Sequence, residues 1–353
     1  MKLYLLRVAA IACALVWLAG CTSASYLAAS VSGHMKIMAA RKDVAAVIAD
    51  PATPRDVRGQ LKTSVAVRRF ASEKLGLPDN ASYSKYADVG RNYVTLAIYA
   101  APEFSLRPKV WCFAVFGCVP YRGYFSDDAA RKEAAALSRQ GFDVYANGVI
   151  AYSTLGWMSD PLLNTMLGQD ETWLTGLIFH ELAHQRVYVK GDSGFNEAFA
   201  VAVETTGVEA WLRAGNDAAG LRLYEAGRKR QADFLALVSR TRGELNAIYQ
   251  SAASPESKRT QKAAAIKQLR TRYRIMRDRN WNGYRGYDAW FDQPINNAKL
   301  AAASVYDERV PAFVRLFELC SRDYPRFYEA VRRIGAMPLT ARTEALERAK
   351  TCG

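Results

Sequence analysis

The chain has 353 residues, of which 50% are hydrophobic and 23% charged, and its formal net charge is +14. This composition is typical of globular proteins and excludes disordered, collagen-like and coiled-coil chains. The positive charge would suit a nucleic-acid-binding protein, but no recognised nucleic-acid module and no alternation of basic and aromatic residues accompanies it. We therefore expect no nucleic-acid partner.

The N-terminus predicts a signal peptide over residues 1–20. Lys2 and Arg7 give it a basic start, and residues 8–19 form an uncharged stretch. A helix of that length covers about 18 Å, which is too short for a hydrocarbon core of about 30 Å. The pattern therefore favours an export signal over a membrane span.

The signal closes with Leu18-Ala19-Gly20-Cys21, which resembles the lipobox of bacterial lipoproteins. The resemblance implies cleavage before Cys21, a lipid on its thiol and attachment of the mature chain to the cell envelope. Thr22 and Ser23 follow without an adjacent Asp, which resembles sorting to the outer membrane, facing the periplasm. An ordinary secretory signal and an uncleaved N-terminal anchor are the alternatives.

Hydrophobic periodicity and turn signals predict an α+β fold. The predicted elements are helices over residues 25–75 with a break at 50–54, strands at 93–99 and 110–119, a helix at 126–140 and a strand at 143–152. Helical patterns dominate after Pro161. The sequence therefore predicts a small mixed β-sheet followed by a helix-rich C-terminal half.

Most of the positive charge lies in residues 222–279, which we call the basic arm. It holds 15 Lys and Arg against 5 Asp and Glu. The pattern predicts two long helices that break near Ser254-Pro255 and pack as an antiparallel hairpin. Either the charges form a solvated face, or they contact an anionic lipid surface or an anionic envelope polymer.

Removal of the signal would leave four cysteines: Cys112, Cys118, Cys320 and Cys352. An even number in an exported chain indicates disulfides, and four cysteines allow three connectivities. We predict the local pairs Cys112–Cys118 and Cys320–Cys352. A zinc site made of all four is the alternative, but the chain has no CxxC pair among them.

Two of the three histidines lie in His180-Glu181-Leu182-Ala183-His184, and the third is His34. Residues four apart share one face of a helix, so both imidazoles of this HExxH motif can bind one ion at 2.0–2.1 Å. Glu181 lies about 100° around the helix and can act on a water beside the ion. The motif predicts a zinc site. The alternative is a buried helix with two core histidines, which would bury three ionisable groups without compensation.

A third ligand is expected from the next predicted helix, where Glu197 and Glu204 lie two turns apart on one face. Both carboxylates could point at the ion. The separation of Glu204 from His184 is close to that in thermolysin-like enzymes, whereas Glu197 makes a tighter connection. Spacing alone leaves the choice open.

Two segments resemble the gluzincin pattern of the aminopeptidase N family. They are His180-Glu181-Leu182-Ala183-His184-Gln185 and Asn196-Glu197-Ala198-Phe199-Ala200, with Glu204 further on. The resemblance implies that Glu197 is the third ligand and that Glu204 supports the ligands from behind. The spacer is shorter than in that family, and the chain lacks the Gly-x-Met-Glu-Asn motif that grips the free amine of a substrate there.

A wider set of motifs resembles the bacterial family of predicted aminopeptidases, which are zincin-like envelope lipoproteins. The set comprises the lipobox, Trp111-Cys112, Gly117-Cys118, Tyr121-Arg122-Gly123-Tyr124-Phe125, Ala151-Tyr152-Ser153-Thr154-Leu155-Gly156-Trp157, the zinc motif, Asn296-Asn297-Ala298, Tyr306 and Val310-Pro311-Ala312-Phe313. The resemblance implies one zinc metallopeptidase domain over residues 21–353, which includes the basic arm.

The expected mechanism uses Zn²⁺ held by His180, His184 and Glu197, with Glu181 as the general base. The oxyanion needs a further donor, and we expect a tyrosine. Tyr306 is our first choice among four candidates: Tyr152, Tyr284, Tyr287 and Tyr306.

For the substrate, the predicted strand at 143–152 could pair with an extended peptide. Glu103 is a candidate partner for a substrate ammonium group. We therefore expect a zinc-dependent peptidase, an aminopeptidase by resemblance, that acts on peptides in the bacterial cell envelope. The alternatives are a zinc endopeptidase and a non-catalytic envelope lipoprotein that keeps a zinc-binding fold.

Overall fold

The structure is a computed structural model that describes residues 25–113, 117–151, 154, 158–168, 170–304 and 309–353. The predicted signal peptide, the predicted lipid site Cys21 and the tyrosines Tyr152 and Tyr306 lie outside these residues. Within them, no helix is both long enough and apolar enough to cross a membrane.

The first half of the chain alternates helices with short strands. The helices are α1 (25–39), α2 (Val44–Ala49), α3 (Arg55–Leu75) and α4 (Asp127–Arg139); the strands are β1 (Lys42–Asp43), β2 (Lys85–Ala87), β3 (Thr95–Pro102), β4 (Trp111–Phe113), β5 (Gly117–Val119), β6 (Arg122–Tyr124), β7 (Phe142–Val149) and β8 (Leu162–Leu163). The predicted helical region at 25–75 has an additional break, because β1 pairs with β2.

The second half is helical, as the sequence predicts. Its helices are α5 (Glu171–Arg186), α6 (Ser193–Ala214), α7 (Ala218–Gln250), α8 (Pro255–Asn280), α9 (Asp288–Asp292), α10 (Asn297–Ser304), α11 (Val310–Leu319), α12 (Tyr324–Gly335) and α13 (Leu339–Glu347). The fold is therefore α+β and helix-rich, which confirms the predicted class.

The described strands form three small sheets, so the prediction of a single mixed sheet is wrong. The central sheet is antiparallel with the order β6-β3-β7, the second is mixed with the order β1-β2-β8, and β4 pairs with β5. Partner choice depends on contacts between distant segments, which a local pattern does not reveal. The predicted strand at 110–119 is in fact the β4–β5 hairpin.

After Thr95, strand β3 is apolar from Leu96 to Pro102, and both of its faces are covered. Ala97 and Tyr99 pack with Ala298 of α10, whereas Ile98 packs with Leu137 of α4. The central sheet therefore lies between these two helices, with β7 at one edge. The main core lies elsewhere, where α3, α5, α6, α11 and α12 meet around the buried ring of Phe199.

The basic arm is an antiparallel hairpin of α7 and α8. Contacts run in opposite order along the two helices: Tyr249 with Lys258, Glu244 with Arg272, and Asp233 with Trp281. Several cations of the arm form intramolecular ion pairs: Arg259 with Glu103, Lys262 with Asp143, and Arg277 with Asp288. Two of these pairs join the hairpin to the end of β3 and to β7.

Both predicted disulfides are present. Cys112 and Cys118 face each other across the β4–β5 hairpin, and Cys320 at the end of α11 joins Cys352 near the C-terminus. The four-cysteine zinc site would need free thiolates, so that alternative is wrong.

Candidate metal centre

Helix α5 carries the HExxH motif in the interior of the protein. Asp170 caps its first turn by accepting a hydrogen bond from the Trp173 N–H at 2.7 Å. Nearly every face of the helix is covered, so Glu181 keeps only 9% of its surface exposed and His184 only 7%. The motif therefore lies in an environment that penalises each charge unless it has a partner.

Helix α6 begins at a buried ion cluster around Asp192. This residue accepts a hydrogen bond from the Phe195 N–H and three more from two guanidinium groups. Arg309 donates to both carboxylate oxygens, at 3.0 and 3.2 Å, and Arg342 donates to one of them at 2.8 Å. The next turn carries Asn196. Its side-chain amide accepts a hydrogen bond from the Val189 N–H and donates one to the Val189 carbonyl. These contacts fix the start of α6, and Glu197 lies directly beyond them.

Two glycines allow α5 and α6 to approach closely. A Cβ at Gly176 would lie 3.2 Å from Cγ of Glu204, and one at Gly207 would lie 2.8 Å from the Phe179 ring. The helices run antiparallel, because His180 faces Glu204 while His184, further along α5, faces the earlier Glu197. Close packing therefore brings the acidic face of α6 onto the histidines.

Three donor atoms converge between the helices. Nε2 of His180 lies 3.2 Å from Nε2 of His184 and 3.3 Å from Oε2 of Glu197, and the remaining distance, from His184 to Glu197, is 3.7 Å. Ligand atoms at 2.0–2.1 Å from a tetrahedral ion are about 3.3–3.4 Å apart. The three side chains therefore have the spacing of one face of such a coordination shell.

Glu204 contacts the other nitrogen of His180. Its Oε2 lies 3.1 Å from Nδ1, so a proton on Nδ1 can be donated to this carboxylate, while Nε2 faces His184 and Glu197. A carboxylate in this position behind a histidine orients the ring and raises its basicity. The structure thus brings together four of the predicted site residues: His180, His184 and Glu197 face one point, and Glu204 lies behind His180.

The charges in this cluster are strongly coupled. Burial opposes protonation of His180, but its hydrogen bonds to Glu197 and Glu204 outweigh burial and raise its pKa well above the ordinary value. Burial also disfavours ionised Glu197, yet its hydrogen bonds to His180 and His184 lower its pKa far below the ordinary value. The site therefore favours a positive charge next to Glu197.

Glu181 lies beside this cluster but is not one of the three converging groups. Burial raises the pKa of its carboxyl, although the two motif histidines pull the pKa down. Its environment also includes the charge of Asp160, in the segment that precedes β8. A buried carboxyl with a raised pKa is suited to accepting and returning a proton.

The other residues proposed from the sequence have different surroundings. Tyr287 stacks on Phe234, and the Tyr284 ring lies under Arg230, so both tyrosines pack against the basic arm. Glu103 pairs with Arg259 through both carboxylate oxygens.

Two tyrosines near the site were missed in the sequence. Burial raises the pKa of Tyr121 and of Tyr188, and the charge of Glu197 adds to the rise in both cases. Tyr121 packs against the Tyr99 ring at 5.5 Å. Neither residue lies in a local pattern that reveals its position, because the segments that carry these tyrosines meet Glu197 only in the folded chain.

One comparison with known proteins gives a match. A family model described as "Putative aminopeptidase" matches residues 25–346. The chain belongs to this family. Neither the curated proteins nor the solved structures contain a match to the chain.

Membership in this aminopeptidase family confirms the family expected from the sequence. The name indicates a peptidase, and the matched region includes both α5 and α6 with the cluster between them. It also includes α1 and the basic arm. The zincin-like fold and the lipid anchor stay predictions.

Replacement of Asp192 should destabilise the protein strongly. In Asp192→Ala, α6 loses its cap and two guanidinium groups lose a buried partner, so we expect the free energy of unfolding to fall by about 3–5 kcal/mol. Asp217 caps the exposed start of α7 through the Gly220 N–H. Asp217→Ala should cost only about 1 kcal/mol. Urea denaturation measures both; equal small losses would show that Asp192 is only a cap.

Proposed function

We propose that this protein is a zinc-dependent aminopeptidase of the bacterial cell envelope. The observation that carries the proposal is the convergence of His180, His184 and Glu197 next to the buried carboxyl of Glu181. The family match supports peptide hydrolysis as the reaction. The proposal includes the lipid on Cys21 and the outer membrane as the location.

The donor set favours zinc among the common ions. Two imidazoles and one carboxylate, with room for a further ligand, are typical of catalytic zinc sites, whereas Ca²⁺ and Mg²⁺ prefer oxygen ligands. Bound there, zinc would act as a Lewis acid and lower the pKa of a water toward 7. In this arrangement the contact between Glu204 and Nδ1 would favour the tautomer of His180 in which Nε2 can bind zinc.

The residues of the chain divide the remaining work between them. Glu181 takes a proton from the attacking water on its carboxylate and returns it to the leaving amine. A tyrosine hydroxyl then stabilises the developing oxyanion. Tyr306 remains our prediction for this role. Arg309, three residues further along the chain, contacts Asp192 at the start of α6. Tyr121 is a second candidate because the charges of Glu197 and Glu181 contribute to the raised pKa of its hydroxyl.

An extended peptide can pair with β7. This strand lies at the edge of its sheet among the described strands, and Ala146 and Asn147 are exposed. The side-chain amide of Asn296 already donates a hydrogen bond to the Val144 carbonyl at 2.8 Å. The part of the edge that can pair with a peptide therefore lies towards the end of β7. Main-chain pairing of this kind accepts varied side chains.

The first test removes the proton acceptor. In Glu181→Gln, zinc content should be unchanged while hydrolysis falls by about 10²–10⁴-fold, because the amide cannot accept the proton. Glu171→Gln, on an exposed first-turn residue of the same helix, is the matched control and should retain full activity. Unchanged turnover in Glu181→Gln would eliminate the proposed mechanism.

The second test separates the two glutamates of α6. Glu197→Gln should abolish stoichiometric zinc binding, because a direct ligand is lost. Glu204→Gln should bind zinc about 10–100-fold more weakly, because only the orientation of His180 is lost. Competition with a chelator measures both affinities. The opposite order would make Glu204 the ligand, which is the thermolysin-like alternative.

The third test addresses specificity with the zinc-loaded protein. Aminoacyl reporters and peptides with a free N-terminus should be hydrolysed, N-acetylated copies should not, and chelator should stop the reaction. Internal cleavage of acetylated peptides would favour an endopeptidase. Stoichiometric zinc without hydrolysis of any substrate would favour the non-catalytic lipoprotein.

A further inference from the structure

Helix α1 has an exposed apolar stripe on its outer face. Leu27, Val31 and Met35 are 49%, 62% and 53% exposed, and we call them the outer stripe. Their spacing of four residues puts them on one side of the helix. A row of large apolar side chains left in contact with water indicates a binding surface more strongly than single exposed residues do.

The opposite side of α1 is packed against the body of the protein. Ile37 is only 5% exposed, and the Tyr26 ring lies 5.4 Å from the Tyr124 ring. Gly33 lies so close to Phe125 that a Cβ there would clash with the aromatic ring. The helix is therefore held with the outer stripe facing away from the core.

The same segment is purely basic. Between Ser25 and Lys42 the chain has three cations, Lys36, Arg41 and Lys42, and neither Asp nor Glu. Lys36 and Lys42 are exposed near the C-terminal end of α1. An amphipathic helix with an apolar face and nearby lysines is the pattern of a helix that lies in the plane of a membrane interface.

We propose that α1 docks flat on an anionic lipid bilayer, with the outer stripe among the headgroups and acyl chains. Ser25 is four residues after Cys21, a distance of at most about 14 Å. A lipid on Cys21 would therefore enter the bilayer beside the start of α1. The lipid would tether the protein, and the helix would set its orientation.

Helix α1 is also held at its C-terminal end by the segment that precedes β8. On α1, Nε2 of His34 lies 3.0 Å from Sδ of Met158, and just beyond the helix Arg41 donates to the carbonyl of Ser159 at 3.1 Å. Helix α1 and the residues just after it therefore contact the segment that precedes β8.

The test uses the chain from residue 22, purified without lipid, and vesicles of phosphatidylethanolamine with or without phosphatidylglycerol. We expect cosedimentation with the anionic vesicles that weakens with salt. Replacing Leu27, Val31 and Met35 together by Gln should weaken partitioning by about tenfold or more. Leu223→Gln with Ile275→Gln, at exposed apolar positions of the basic arm, is the matched control and should bind normally.

Three results would overturn the proposal: no binding of the unaltered chain, equal binding of the outer-stripe variant, or loss of binding only when arm cations such as Arg222 and Lys267 are replaced by Gln.

Sedimentation without vesicles checks whether the protein forms a dimer through the same face, which would also overturn the proposal. A dimer that the outer-stripe substitutions dissociate would make this face an interface between two copies. Thermal unfolding verifies that each variant is folded. The assay involves neither hydrolysis nor Cys21, so its failure leaves the proposed peptidase function untouched.

Discussion

The contact between α5 and α6 is the constraint on which the candidate site depends. Each helix alone presents charged or ionisable groups on a face that the core would otherwise exclude. Gly176 and Gly207 allow the two helices to approach until those faces meet. Histidine nitrogens and a carboxylate oxygen then lie within the spacing of one ion's coordination shell. A larger residue at either glycine would separate the two helices, so the packing and the chemistry share one geometric requirement.

Two carboxylates, buried Asp192 and half-buried Glu204, position this contact from both ends. At one end Asp192 holds the start of α6 through two guanidinium groups, and at the other Glu204 fixes the ring of His180. Charges of this kind cost free energy to bury, and each is compensated by hydrogen bonds with good geometry. Such groups add little to stability compared with an apolar core, but they define one orientation of the side chains. A site that must hold three donors to within a few tenths of an ångström needs that definition.

The positive charge of the chain is used in two different ways. In the basic arm, Arg259, Lys262 and Arg277 are paired with carboxylates, and two of the three join the hairpin to the central sheet. At α1 the cations are fewer but accompany an exposed apolar stripe. The cations are densest in the basic arm, whereas the membrane contact that we propose lies at α1, where cations accompany exposed apolar side chains.

The sequence by itself determined the helix-rich α+β class, the HExxH helix and the two long helices of the arm, because each is written in local spacing. It also predicted the two disulfides that the structure contains, although four cysteines allow three connectivities. It also limited the candidates for a third metal ligand to Glu197 and Glu204, which share a helix face. Only the tertiary structure decided which strands pair, that Asp192 anchors α6, and that Tyr121 and Tyr188 lie near the histidines. These depend on contacts between segments far apart in the chain, where the free energy comes from packing and leaves no periodic signal. The exposed face of α1 belongs to the same group, because exposure is a property of the whole fold.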